Sequence, residues 1–225
     1  MKKVGEFWIP DVDLRRLSRF GKTRRKTLER FRNGGTKLED LEAALSHVGS
    51  GRIAIDGGAN VGAYSRRLAQ NFGTVHAFEP APDTYAALQR NIEEWNLQES
   101  VILHNQALSN VTENVALQTK RGGRSLSRRI SGPGEIPAVT IDSLQLDEVD
   151  FIKLDLEGYE YNALLGARDT VERCRPAVLF EDKPGVLRSV EDERSPHQFL
   201  QQLGARKIDC IGKRRFDWLY MFDPA

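Results

Sequence analysis

Cysteine, histidine and long apolar runs are scarce in this chain, and each scarcity closes off a class of protein. Only Cys174 and Cys210 stand among 225 residues. A disulfide-stapled secreted scaffold needs more cysteines, and a zinc site needs ligands at a close spacing that these two lack. Both read as reduced thiols of a cytosolic protein, with a disulfide the alternative. The four histidines are scattered. His76 and His104 fall inside expected strands as core or interface side chains, and His47 and His197 have no sequence neighbours that suggest a role. No apolar stretch reaches the roughly 20 residues that cross a bilayer. Met1-Lys2-Lys3-Val4-Gly5-Glu6 is not followed by the apolar core of a signal peptide, so a cytoplasmic protein with no membrane partner is expected. Aromatics are not interleaved with the Arg/Lys run, which argues against a single-strand stacking platform.

What remains is an ordinary globular balance, 40% hydrophobic and 29% charged, enough for one substantial domain. The net charge of +1 hides an asymmetry. Residues 1–37 hold twelve Lys or Arg against four Asp or Glu, a surplus of +8, so the rest sums to −7. This basic segment, 1–37, is expected to be helical over Val12 to Arg32, either as a solvated face or as a surface that meets an anionic partner.

From residue 38 to 225 the chain reads as one domain. After a short helix, Leu38 to His47, compact strands alternate with amphipathic helices. The strands are Arg52 to Asp56, Thr74 to Glu79, Val101 to Ala107, Asp150 to Asp155 and Ala177 to Glu181. The helices are Val61 to Phe72, Pro82 to Asn96, Tyr159 to Val171, and one opened by Ser195-Pro196 and running to Leu203. Arg206 to Ile211 and Trp218 to Phe222 read as a closing hairpin. Such alternation implies an α/β fold, a mostly parallel sheet with helices on both faces. An insertion interrupts it. Strands at Asn114 to Thr119 and Ile136 to Ile141 flank a loop, 120–135, rich in Gly and Arg. Its Arg124 and Arg128 suit an anionic acceptor.

The first strand runs into Asp56-Gly57-Gly58-Ala59-Asn60-Val61-Gly62 and then a helix. Gly58 and Gly62 permit a tight turn and close approach of backbone to a nucleotide-type ligand. Glu79 follows Asp56 by 23 positions and closes the second strand, where a carboxylate accepts both hydroxyls of an adenosine ribose. Pro80 then turns the chain out of the strand. A dinucleotide would set its pyrophosphate beside Asp56, and two like charges near 4 Å repel by about 4 kcal/mol. The G-x-G-x-x-G pattern also lacks a glycine. Both points count against an NAD-dependent oxidoreductase and favour S-adenosylmethionine, which carries an ammonium and a sulfonium but no phosphate.

Read in order, these segments resemble the FkbM-type methyltransferases. The likeness rests on Ile53-Ala54-Ile55-Asp56-Gly57-Gly58-Ala59-Asn60-Val61-Gly62-Ala63-Tyr64-Ser65, on Val75-His76-Ala77-Phe78-Glu79-Pro80 and on Asn105-Gln106-Ala107-Leu108-Ser109. Val149-Asp150-Phe151-Ile152-Lys153-Leu154-Asp155-Leu156-Glu157-Gly158-Tyr159-Glu160 is its most diagnostic stretch, and Pro176 to Glu181 completes the set. The resemblance implies a Rossmann-like class I methyltransferase, a seven-stranded sheet with its last pair antiparallel. It implies S-adenosylmethionine as cofactor and methyl transfer to a hydroxyl of a small-molecule or sugar/glycan-like acceptor. Asp56, Gly58, Asn60 and Gly62 would line the methionine end, Glu79 would hold the ribose, Gln106 and Ala107 would border the adenine, and Gly57, Ser65 and Pro80 would be further cofactor-binding positions. Asp155 would lie near the transferable methyl. Ser125 is the one position of the basic loop that matches the family.

A hydroxyl acceptor must shed a proton, so a carboxylate base is the search target. Asp155 and Glu181 are the catalytic candidates, with Glu157 and Asp182 behind them, and Asp155 could equally bind the cofactor's ammonium. Lys153 and Glu160 read as a structural pair. No metal is expected, because Gly158 ends the strand before Asp155 and Glu157 can share a face. A non-catalytic binding module using its basic segment is the remaining alternative.

Overall fold

The computed structural model describes residues 1–11, 14, 29, 38–119, 128–182, 195–211 and 216–223. The chain opens with a hairpin of β1 (Lys2–Val4) and β2 (Phe7–Ile9), turned at Gly5. These strands lie within the basic segment 1–37, ahead of the helix expected over Val12 to Arg32: Phe7 and Ile9 alternate with Trp8 and bury both apolar side chains. Most of Val12 to Arg32 lies outside the described residues.

Helix α1 (Leu38–Val48) leads to β3 (Gly51–Gly57), α2 (Ala63–Leu68), β4 (Phe72–Phe78), α3 (Pro82–Glu94) and β5 (Val101–His104). A small sheet follows, made of β6 (Ala107–Leu108), β7 (Glu113–Thr119), β8 (Arg128–Pro133) and β9 (Ile136–Val139), in the order β6-β9-β7-β8. The chain then returns through β10 (Val149–Leu154), α4 (Glu160–Leu165), α5 (Arg168–Cys174), β11 (Ala177–Glu181), α6 (Pro196–Gln202), β12 (Arg206–Ile211) and β13 (Asp217–Met221).

The large sheet has the order β12-β13-β11-β10-β3-β4-β5. Its five central and right-hand strands are parallel, and β13 lies antiparallel to both β11 and β12. This is the expected seven-stranded sheet with a closing antiparallel hairpin. Strand alternation feeds two cores. Ala54, Val75, Ala77, Phe151 and Leu179 meet α1, α2 and α3 through Leu41, Leu45, Leu68, Leu88 and Ile92. Their neighbours Ile55, Phe78, Ile152, Leu154 and Phe180 meet α4, α5 and α6 through Leu164, Val171, Phe199 and Leu200. Each fully buried Leu, Ile or Phe contributes about 1.5–3 kcal/mol.

Several boundaries differ from the sequence reading: the helix expected over Val61 to Phe72 spans only Ala63–Leu68, and Phe72 opens β4. The expected helix Tyr159 to Val171 is two, because Asp142 caps the second from afar: its carboxylate accepts from the amides of Asp169 (3.2 Å) and Thr170 (2.8 Å). The expected strand Val101 to Ala107 stops at His104, where the Asn105 side chain turns to the carbonyls of Glu79 (2.9 Å) and Pro80 (3.3 Å). Within the basic loop, residues 128–133 form a strand paired with β7, and Ile130 packs on the small sheet's core. Residues 120–127, with Arg124 and Ser125, lie outside the described residues. Both cysteines are free thiols at partly exposed positions. No helix among the described residues is long and apolar enough to cross a membrane.

Candidate active site

The chain runs from β3 outward through β4 and β5, then crosses back to β10 on the other side of β3. The crevice outside the carboxyl ends of β3 and β10 is therefore the switch point where ligands of such sheets bind. Here the two strands close to van der Waals limits. Gly58 has φ +76°, and a Cβ there would sit 2.2 Å from the Asp155 carbonyl oxygen. Gly62, at φ +92°, caps α2, and its Cβ would strike Leu88 at 2.7 Å. Both demand glycine. The Gly58 and Ala59 amides donate to the Phe78 carbonyl at 3.0 and 2.9 Å, tying the loop to β4.

Asp56 is the last charged group of β3 and is fully buried. Its Oδ2 accepts from the Ser65 hydroxyl (2.7 Å), and its Oδ1 from Lys153 Nζ (2.9 Å). Lys153 also donates to the carbonyls of Gly57 and Gly58, both at 3.0 Å. The sequence reading placed this acid beside a cationic ligand. In the structure its charge is balanced inside the protein, so the cofactor assignment does not rest on Asp56. The expected Lys153–Glu160 pair is replaced by Lys153–Asp56. Glu160 instead takes the Leu156 and Gly158 amides at 2.7 and 3.2 Å, and burial pushes its carboxyl up to about 7.

Glu79 stands at the end of β4, 8% exposed. Its Oε2 accepts the Asn60 amide (3.0 Å) and its Oε1 the Ala81 amide (2.9 Å). A carboxylate has about four acceptor directions, so the two spent on backbone leave room for two hydroxyl donors. Burial is the largest influence and raises this carboxyl to about 7, against the pull of both amides, Arg128 and Lys153. The glycine cradle and this acceptor fit S-adenosylmethionine. Pro80 follows half-buried, Gln106 hydrogen-bonds His104, and Ala107 is buried in β6.

Past β10, Glu157 and Gly158 both adopt positive φ, 55° and 103°. This turn folds Glu157 back, so ligand atoms of Asp155, Glu157 and Glu181 lie within 4.8 Å of one another. The expectation that Asp155 and Glu157 diverge is thus overturned by the turn. Oxygen donors so grouped are of the kind that hold hard cations. Arg128, the acceptor candidate among the described residues of the basic loop, grips Asp83 (2.6 Å) and Thr84 Oγ1 (2.9 Å) on the first turn of α3 and ties the small sheet to that helix.

Two arrangements escaped the sequence reading. His197 bridges Tyr220 (2.9 Å) and the Asp182 carboxylate (3.1 Å), which holds α6 against β11 and β13. His76 Nδ1 meets His104 Nε2 at 3.1 Å, and His104 stacks on Phe78 at 4.2 Å. Burial, then the neighbouring His76, lowers His104 to about 4. The folded protein therefore resists protonation at His104, and stability from this site is lost as pH falls from about 6.5 toward 4. Glu79 and Glu160 act in the opposite sense, so a comparison with the His104→Phe variant isolates the part played by His104. That variant should lose roughly 1–2 kcal/mol less than wild type between neutral and mildly acid pH, read from urea midpoints. An equal loss in both proteins would remove His104 from the acid limb.

The profile of the methyltransferase FkbM domain matches residues 56–206. An FkbM methyltransferase of Methylobacillus flagellatus has 22% identity and TM-score 0.52; the match covers 77% of this chain and 44% of that one. The chain thus spans less than half of that protein. A Streptococcus mutans protein described as a methyltransferase, crystallised with S-adenosylhomocysteine, aligns at TM-score 0.53 and 14% identity, over 82% of this chain and 95% of its own. A Clostridium thermocellum protein described as an rRNA methylase aligns at TM-score 0.52 and 13% identity, over 83% and 97%. No curated protein sequence matches. The fold is that of the class I methyltransferases, with S-adenosylmethionine as its cofactor. On the profile match over two-thirds of its length, the chain belongs to the FkbM methyltransferase family.

Proposed function

We propose that the chain transfers the methyl group of S-adenosylmethionine to a hydroxyl oxygen of a small-molecule or sugar-like acceptor. The observation that carries this reading is the meeting of the glycine loop with a carboxylate cluster. The backbone of Asp155 abuts Gly58, and its side chain gathers with those of Glu157 and Glu181. S-adenosylmethionine supplies an electrophilic methyl group on a sulfonium. The chain's part is to hold the ribose on Glu79, fix the loop through Lys153 and Asp56, and present Asp155 to the acceptor's proton. Asp155 is the proposed proton acceptor and Glu181, 4% exposed, its neighbour in the cluster. A positioned base of this kind supplies about 10²–10⁴ in rate.

Incubating the protein with S-adenosylmethionine and a panel of sugars, polyols, phenols and amines tests the reading. Mass spectrometry should find a methyl-sized gain on a hydroxyl compound, lost in Asp155→Asn. Methylation confined to amines would overturn the oxygen assignment, and full activity in Asp155→Asn would overturn the base.

A further inference from the structure

We infer that the amino-terminal hairpin is a positioning element of the cofactor site, acting on the glycine loop through Asn91. The hairpin lies outside the matched methyltransferase region, yet it forms the wall behind that loop. Asn91, on α3, is fully buried. Its Nδ2 donates to the Val61 carbonyl at 2.8 Å and to the Trp8 carbonyl at 3.1 Å, while its Oδ1 accepts the Trp8 amide at 2.6 Å. One side chain thus joins the backbone of β2 to the residue between Asn60 and Gly62. Packing runs the same way: Phe7 and Ile9 share a buried cluster with Val61 and Ala87. Phe7 meets Trp95 edge-on at 5.1 Å, and Trp95 is one of the side chains that a Cβ on Gly62 would press, at 3.3 Å. The Glu6 carboxylate pairs with Arg66 of α2 at 2.9 Å, and the Glu6 backbone carbonyl accepts the Trp95 indole N–H at 3.2 Å. Outside, Glu94 holds Lys3 and the Trp8 indole N–H (2.6 Å).

Asn60 donates its amide to Glu79, so displacement of Val61 is passed to the carboxylate proposed to hold the ribose. With the hairpin in place both ends of this buried amide are used and one rotamer is fixed; once the hairpin leaves, water takes the place of Trp8 and the side chain is free to turn away from Val61. The loop then keeps its glycine turns and its bond from Asn91, but the two Trp8 bonds that fix the Asn91 side chain against the Val61 carbonyl are gone. Pre-organisation is lost, and affinity falls although no ligand contact has been deleted.

This inference rests on the cofactor reading above, so the full chain is titrated first with S-adenosylhomocysteine. No binding there would end that reading and leave nothing for the hairpin to support. Given binding, two variants are compared at a temperature where circular dichroism shows each folded: one lacking residues 1–10, and Glu94→Ala, an exposed change that loosens the hairpin. Deletion should raise the Kd about tenfold or more, and Glu94→Ala about threefold. A synthetic peptide of residues 1–11 added to the truncated protein should recover affinity in a saturable manner. If the truncated chain does not fold, Glu94→Ala decides alone. A Kd within twofold of the full chain in the folded variants, with only a lower Tm, would overturn the inference.

Discussion

Replacing Lys153 with methionine is expected to cost about 3–5 kcal/mol of stability, because it strands the Asp56 carboxylate in a dry interior. Asp56 is fully buried and Lys153 is 5% exposed, so no solvent can take over the lysine's part. The same change removes the ammonium that gathers the Gly57 and Gly58 carbonyls, each at 3.0 Å. Cofactor affinity should therefore fall as well. The double variant Lys153→Met with Asp56→Asn keeps the Ser65 hydroxyl contact and buries no charge, so it should regain roughly half of the lost stability or more. Urea denaturation of the four proteins of this cycle measures the coupling. Single changes that simply add would show that the two groups do not depend on each other.

Substituting Glu79 with glutamine is expected to weaken S-adenosylhomocysteine binding by about 2–3 kcal/mol, roughly 30- to 150-fold. Both carboxylate oxygens accept backbone amides, from Asn60 and from Ala81. A glutamine must set its NH₂ against one of these donors, and only one oxygen remains to accept a ribose hydroxyl. The wild-type protein should also show a characteristic pH dependence. The carboxyl titrates at about 7 when free of ligand, whereas hydroxyl donors favour its ionised form. Binding then expels a proton below that pH. Affinity should be flat above about pH 7.5 and fall roughly 25-fold by about pH 5.5. Glu79→Gln should abolish the slope. A slope that persists in this variant would assign it to another group.

The fold was legible because its signal is local. Strands such as Ile53 to Asp56 and helices such as Pro82 to Glu94 carry their period in consecutive residues. The glycine loop and Glu79 were equally legible, since their spacing is set by a single β-α-β unit. What escaped lies in pairings across long separations. Lys153 meets Asp56 from 97 positions away, and Asn91 meets Trp8 from 83. Periodicity tells which face a side chain occupies, not which partner stands opposite it. The acid ending β3 was therefore assigned an external cation, although an internal one is in place. The amino-terminal hairpin escaped for another reason. Its strands are three residues each, too short for alternation to stand out beside a strongly basic helical pattern. The convergence of Glu157 on Asp155 and Glu181 depends on one turn with two positive φ values, and only Gly158 announced it.

Calorimetric titration of the full chain with S-adenosylhomocysteine near pH 8, beside Glu79→Ala, bears most directly on the site described. One ligand per chain should bind at micromolar strength to the wild-type protein, and the variant should give no measurable heat. A wild-type protein that is folded yet silent, or a variant that binds as tightly as its parent, would contradict it.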